Sequence, residues 1–446
     1  MGHAALFALT ALPTVLVHVS QFSWNELLRN YDENTRNEIY VPADFHYLRD
    51  GMYETVPGVG IRVRGGAFSR VRPEGESRED DGDEGNGSWS QSHYRIKFDY
   101  SDPSALFHEL DALILKRFNG DPAYVREIYA MDLFRRFGVP AQRASYTRFY
   151  ILVGDDPEPV YQGVYEFMEP IDKDFLQARF GSNDDGDLWK CLWPAPLNEA
   201  NPFPKMGLED PDRGISFPYD LKTNEENLSD ASFRFNEFIQ DLRAVPDAEF
   251  AAWAEEHINV DGLLRMQAVN VLVGGWDEYW FNQNNYYLYQ DEEQDDGPRR
   301  WHMFPYDYDN VLGTGINAMD PGRHNVFEWG NESHLLVERV MEVEQYRRQY
   351  ARYLLELMEE GSGLFETDAS IGRITAWQEM IAPYVENDTG DNMEIADRPA
   401  DWGAWGLYRL TSRPESDVAG SPQNYFDVRI DHALRQIARE FPEGVE

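Results

Sequence analysis

The chain has 446 residues, with 80 Asp or Glu against 40 Lys or Arg and a formal net charge of −40. Such a balance argues against nucleic acid and anionic membrane surfaces as partners, because phosphates are repelled over most of the surface. Hydrophobic residues at 42% and aromatics at 14% exclude a disordered chain and supply core for one large two-lobed domain or two ordinary ones.

Only six residues are lysine (Lys97, Lys116, Lys173, Lys190, Lys205 and Lys222), so arginine carries nearly all the positive charge, a balance that suits a salty habitat. Cys191 is the single cysteine, which excludes an intrachain disulfide and a cysteine-rich metal site. No apolar run reaches the length of a transmembrane segment. Residues 4–19 are mostly apolar, but no basic residue precedes them and Pro13 interrupts them. A secretory leader needs a positive start, so 13–19 read better as a strand of a folded domain from which any leader is already removed.

From Val41 to Tyr100 the pattern is strand-like, with alternation over 58–66 and 92–100. Between them residues 73–88 are acidic and Gly-rich, which predicts a solvated loop or disordered flap without the Asp/Gly periodicity of a calcium loop. Asp121-Pro122 predicts a helix start. The following helix, 124–138, places Val125, Ile128, Tyr129 and Leu133 near one face before Gly138 and Pro140 end it. Strands are expected at 143–154 and 160–169, joined by the turn-forming 155–159. A helical pattern follows Pro170, then an irregular stretch to about residue 222. From Leu228 helices dominate, at 229–245, 247–257, 261–275, 332–361 and near 425–441. One strand pair, 285–290 and 299–309, interrupts them through an acidic turn at 291–297. No internal repeat is present. A β-rich part (1–170) thus precedes a mainly helical part (171–446), an α+β chain with the lobe order of a protein kinase and a cleft between the lobes.

The loop region 274–313 carries the chemistry. A helix stops at Gly274-Gly275, Asp277 follows, Asn282 sits five residues later, and Asn284-Asn285 lead into a strand. Beyond the hairpin come Asp307 and Asp309. Kinases use this order because phosphoryl transfer needs hard cations on oxygen ligands and a separate carboxylate to orient or deprotonate the attacking hydroxyl. Asp277 suits the second task; Asp307 with Asn282 or Asn285 suits the first. Lys97 is one of few lysines able to act as a phosphate-gripping point charge.

Seven stretches taken together resemble the spore coat protein H (CotH) kinase-like family: GIRVRGG (60–66) with the following Ser69, YRIKFD (94–99), 119–144, 161–176, DLWK (187–190), WDEYWFNQNNYYLY (276–289) and WHMFPYDYDNVLG (301–313). The resemblance implies an atypical protein-kinase-like two-lobed fold. It also implies ATP and a divalent metal (Mg²⁺ or Mn²⁺, with Ca²⁺ in the same hard class), and phosphate transfer to Ser or Thr of a secreted or surface protein, outside the cytoplasm. Residue by residue, it implies Asp277 as catalytic carboxylate, Asp307 and Asp309 as metal acids, and Asn282 or Asn285 as metal amide. It further implies Lys97 on the nucleotide phosphates, with Glu127 as its helix partner. Arg62 and Arg64 would stand ahead of a phosphate-covering turn at Gly65-Gly66, and Glu166 at the adenine or the hinge. Ser92 and His93 stand where many relatives carry lysine, and Gly66-Ala67-Phe68 departs from the family's Asn/Ser-rich turn. Two other readings are a non-catalytic surface, adhesion or structural protein, and a kinase-fold transferase moving a group other than phosphate.

Overall fold

Strict alternation of buried and half-buried side chains makes β1 (Thr14–Val19) a strand, with Val15, Val17 and Val19 facing inward. This computed structural model describes every residue except 1–2, 66–68, 76–88, 119, 199–208, 211–214, 217, 293–298, 317–318, 331–333, 400–404, 415–419 and 446. The altered glycine turn and most of the expected acidic insertion (all but 73–75) therefore lie outside the described residues.

The chain divides into two compact units. The first comprises Met1–Ile128, Gln142–Asp174 and Thr375–Ala396; the second comprises Tyr129–Ala141, Phe175–Ile374 and Asp397–Glu446.

In the first unit a short helix α1 (His3–Leu6) precedes β1, and α2 (Gln21–Glu33) follows it. Ser20 caps α2 by accepting from Ser23 N at 3.1 Å. Trp24, Leu27 and Tyr31, at helical spacing, are the apolar side chains it buries. Strands β2 (Val41–Arg49) and β3 (Met52–Arg64) form a hairpin whose two turn residues, Asp50 and Gly51, both have positive φ (51° and 79°). That turn matches the right-handed twist of the strands it joins. Strands β4 (His93–Lys97), β5 (Ala112–Lys116), β6 (Ala144–Val153) and β7 (Val160–Met168) complete a closed barrel in the order β1-β2-β3-β4-β5-β7-β6. All neighbours are antiparallel except β1 and β6. Phe45, Tyr47, Ile61, Tyr94, Ile96, Leu115, Phe149 and Phe167 fill it. The late segment 375–396 belongs to this unit through named bonds. Gln91 N donates to Asp391 Oδ2 (2.9 Å), Tyr161 N to Asp388 Oδ2 (2.7 Å), Gln378 Nε2 to Ala123 O (3.0 Å) and Ala396 N to Pro122 O (2.7 Å).

Helix α3 (Arg126–Arg136) starts two residues after the expected 124, because Tyr124 ahead of it is left-handed (φ 59°). The Asp121 carboxylate accepts from the backbone N–H of Ala123, Val125 and Arg126 at 3.0, 2.8 and 2.9 Å. Helix α4 (Lys173–Phe180) matches the helical pattern after Pro170.

The second unit contains strands β8 (Asp187–Cys191), β9 (Glu209–Asp210), β10 (Ile215–Ser216) and β11 (Tyr219–Leu221), so strands stand in the stretch expected to be irregular. The reason is tertiary: β8 pairs with β11 on one side and with the hairpin strand β12 (Tyr286–Gln290) on the other. With β13 (Trp301–Pro305) they form the sheet β11-β8-β12-β13. Helices α5 (Leu228–Ala244), α6 (Asp247–His257) and α7 (Val260–Val273) precede the one-turn helix α8 (Tyr279–Asn282). Nearly every residue of α7 is buried, which makes it the core helix of this unit. The continuous helical pattern 332–361 is broken at Val343 into α9 (Leu335–Glu342) and α10 (Glu344–Met358). Helix α11 (Thr367–Ile381), the two-residue strands β14 (Tyr408–Arg409) and β15 (Gln423–Asn424), and α12 (Tyr425–Glu440) end the chain order. Among the described residues no helix is long and apolar enough to cross a membrane.

Candidate active site

The loop of the second unit is built from its two ends. Gly274 ends α7 in the left-handed conformation (φ 77°), and Gly275 O accepts from Trp329 Nε1 at 2.7 Å. From the other side Leu312 N donates to Val273 O at 2.7 Å, so the segment leaving β13 returns to the end of α7. Trp276 Nε1 donates to Thr314 Oγ1 at 3.1 Å and closes the same frame.

Asp277 sits inside this frame as the common acceptor of four amides. Its Oδ1 accepts from Asn282 (2.6 Å) and Asn284 (2.9 Å), and its Oδ2 from Asn285 (3.2 Å) and Asn310 (3.5 Å). Asn285 also donates to the Asp277 carbonyl at 2.9 Å. Burial holds the Asp277 carboxyl above the usual carboxylate range; the amides of Asn284 and Asn282 oppose that shift, and the charge of Asp307 adds to it. A carboxylate so placed is a stronger base than a solvated one, and its orientation is fixed. The next residue, Glu278, is fully buried and caps α8, accepting from Trp280 N at 2.7 Å and Phe281 N at 2.8 Å.

Asp307 and Asp309 leave β13 through a turn that begins with Asp307 at φ 58°. One carboxylate oxygen of each lies within 4.8 Å of the other, and both residues are half-buried. Two such oxygens fit a hard divalent cation, with the Oδ1 carbonyls of Asn282 or Asn285 as further oxygen ligands of the kind such ions take. Left-handed backbone at Gln283 (55°), Asn285 (49°), Asp307 (58°) and Leu312 (55°) concentrates local strain in this one loop. The structure thus brings together Asp277, Asn282 and Asn285, with the charge of Asp307 acting on Asp277. It adds Asn284 and Asn310. The NQNN run (282–285) is the signal for Asn284 in the sequence: its polar side chains cluster too densely for a strand start.

In the first unit the expected pairing of Lys97 with Glu127 is absent among the described residues. Lys97 ends β4 on its outward face, with 42% of its side chain exposed and Nζ 3.6 Å from Asp99 Oδ1. Strand alternation explains this: Tyr94 and Ile96 point inward, Arg95 and Lys97 outward. Glu127 does not meet Lys97. Its Oε2 pairs with Lys116 Nζ, at the end of β5, and only 7% of the lysine and 2% of the glutamate side chain is exposed. Glu166 on β7 is buried directly opposite Lys116 in the strand register. Arg62 is committed to Glu38 at 2.9 Å and lies over the Tyr40 ring. Arg64 stands half-buried opposite His93. His93 Nδ1 accepts from Arg117 N at 3.1 Å, and burial holds its ring well below the usual histidine range. Ser92 Oγ donates to Val71 O at 2.6 Å, so Ser92 and His93 both make structural hydrogen bonds within the first unit. The signal for Lys116 is a lone cation closing the apolar run ALILK, every residue of which is buried.

Burial raises the Glu278 carboxyl to about 8, against the pull of the Trp280 and Phe281 N–H groups and of Asn270. Between the ordinary carboxylate range and pH 8 the folded chain therefore binds a proton that the unfolded chain releases, so this group's stabilisation is full at acid pH and is lost as pH rises through about 8. Glu278→Gln should flatten that component. Thermal midpoints of the two proteins, measured from pH 5 to 9, should diverge toward alkaline pH, and parallel curves would refute the assignment.

The sequence model of the CotH kinase protein family matches residues 61–417. Inner spore coat protein H of Bacillus subtilis (strain 168) is 26% identical over 284 residues, covering 63% of this chain and 71% of that protein. With the matched stretch taking in most of the chain, including the Lys116–Glu127 pair and the Asp277 loop, the chain belongs to the CotH kinase family.

Proposed function

We propose that the chain is an ATP- and divalent-metal-dependent phosphotransferase with a two-lobed kinase-like fold, acting on Ser or Thr of a coat or surface protein. The observation that carries this reading is the Asp277 carboxylate, oriented by four asparagine amides beside the acidic pair Asp307 and Asp309. Its support in the first unit is the buried Lys116–Glu127 pair, the form in which kinases fix a phosphate-binding lysine. Each unit by itself carries one part of what phosphoryl transfer requires. The similarity to a spore coat protein of Bacillus subtilis supports an acceptor at such a surface.

In this mechanism Asp277 accepts the proton of the acceptor hydroxyl as its oxygen bonds to the γ-phosphorus and the bond to the ADP leaving oxygen breaks. The amides of Asn282, Asn284, Asn285 and Asn310 hold the carboxylate in place. Lys116, fixed by Glu127, offers its ammonium to the nucleotide phosphates. A divalent cation held by Asp307, Asp309 and an asparagine carbonyl supplies the positive charge that offsets the phosphates. Glu166, opposite Lys116 in the strand register, shapes the surroundings of that ammonium.

Thermal denaturation with and without Mg·ATP tests the reading. At about 100 Kd the complex should gain about 2.7 kcal/mol, and EDTA should remove the gain. Absence of any response would favour the scaffold reading, to which the structural use of Ser92 and His93 lends weight. Mass spectrometry of acceptor proteins after incubation should show phosphate; addition of nucleotide or another group would establish the alternative transfer. Asp307→Asn should weaken metal-dependent nucleotide binding by at least about tenfold, with the melting of the metal-free proteins measured alongside to separate loss of metal from loss of fold. Equal Mg·ATP titrations of the two proteins would remove Asp307 from the metal site.

A further inference from the structure

Lys190 is a cation that the site described so far does not use. It lies on β8 between Asp220 of β11 and Tyr287 of β12 in the strand register. Its ammonium donates to Tyr306 Oη at 3.2 Å and rests 4.5 Å from the centroid of the same ring. The Tyr306 ring is itself held edge-on by Tyr287 at 5.2 Å. Among the described residues Lys190 forms no ion pair, although the chain has 80 acidic residues. Asp220, its register neighbour, turns to Lys222 instead.

An ammonium carries three donors, and a phenol oxygen satisfies one of them. A half-buried cation that a π face and one hydroxyl hold, with no carboxylate, is kept available for an anion. Its place defines which anion. Tyr306 immediately precedes Asp307 in the chain, so the ring that carries the ammonium belongs to the residue next to the start of the acidic pair. Carboxylates there would hold a cation, and a phosphate group bound to that cation would bring its other oxygens next to a positive charge. We infer that Lys190 binds the polyphosphate chain of the nucleotide, as a second phosphate cation contributed by the sheet of the second unit. This rests on the phosphotransferase reading above and adds to it a residue outside the Asp277 loop and the barrel.

Lys190→Met keeps the methylene stem over the Tyr306 ring and removes only the charge, and Lys190→Arg keeps the charge. Binding of Mg·ATP, Mg·tripolyphosphate and adenosine to the full chain is measured by calorimetry for the three proteins. Lys190→Met should weaken Mg·ATP and Mg·tripolyphosphate by at least about tenfold and leave adenosine within about twofold, while Lys190→Arg recovers most of the loss. Unchanged tripolyphosphate binding by Lys190→Met, or an equal loss for adenosine, would overturn the inference and make Lys190 a packing strut. If the wild-type chain binds Mg·ATP and the variant binds it equally, Lys190 alone is removed from the site. If the wild-type chain binds no Mg·ATP, the phosphotransferase reading falls and this inference falls with it.

Discussion

Asp277→Ala should reduce ADP release from Mg·ATP in the presence of an acceptor by about 10²–10⁴-fold or more, the range that a positioned general base contributes. The variant also strips the shared acceptor from Asn282, Asn284, Asn285 and Asn310, so four amides lose one partner at once. Asp277→Asn separates the two effects. It keeps shape and one oxygen but turns an NH₂ group toward amide donors, so it should be as inactive as the alanine variant while retaining nucleotide binding. The decisive comparison is rate against affinity: both variants should lose turnover and keep Mg·ATP within a few-fold. Turnover at the wild-type rate in either variant would remove Asp277 from the chemistry.

Lys116→Met carries the second large effect, on stability and on binding together. It leaves Glu127 charged and buried with Glu166 opposite, and loss of one partner of a buried pair costs about 3–5 kcal/mol. The double variant Lys116→Met/Glu127→Leu removes the stranded charge and should recover most of the stability without recovering Mg·ATP binding. Lys97→Ala should stay within about 0.5 kcal/mol of wild type and bind nucleotide normally, because the side chain is largely exposed and its ion pair among the described residues is a long one to Asp99. Urea denaturation and nucleotide titration of the three variants check this directly. Loss of binding in Lys97→Ala with retention in Lys116→Met would reverse the assignment.

The contrast between the two lysines shows what the sequence could reveal. Elements with a local signature were legible: the alternation of β1, the Asp121-Pro122 start of α3, the hairpin pair β12 and β13, and the Asp277-to-Asn282 spacing all rest on neighbours in the chain. That Lys116 and not Lys97 is buried against Glu127 depends on which strand is covered on both faces, and only the closed barrel determines that. Likewise β8 reads as irregular because a five-residue segment becomes a strand only when β11 and β12 flank it. Asn310 joins Asp277 across 33 positions because Leu312 returns to Val273, a closure with no mark in composition or periodicity.

The first unit draws its last segment, Thr375–Ala396, from late in the chain. Synthesis proceeds from the N-terminus, so Asp388 and Asp391 reach the barrel only after the second-unit stretch Phe175–Ile374 has been made. A nascent chain released early, or a fragment cut after β7, would carry the strands without the carboxylates that cap Gln91 and Tyr161. Expression of the barrel alone should therefore succeed only when residues 375–396 are grafted back, which would make the order of translation part of how the first unit is completed.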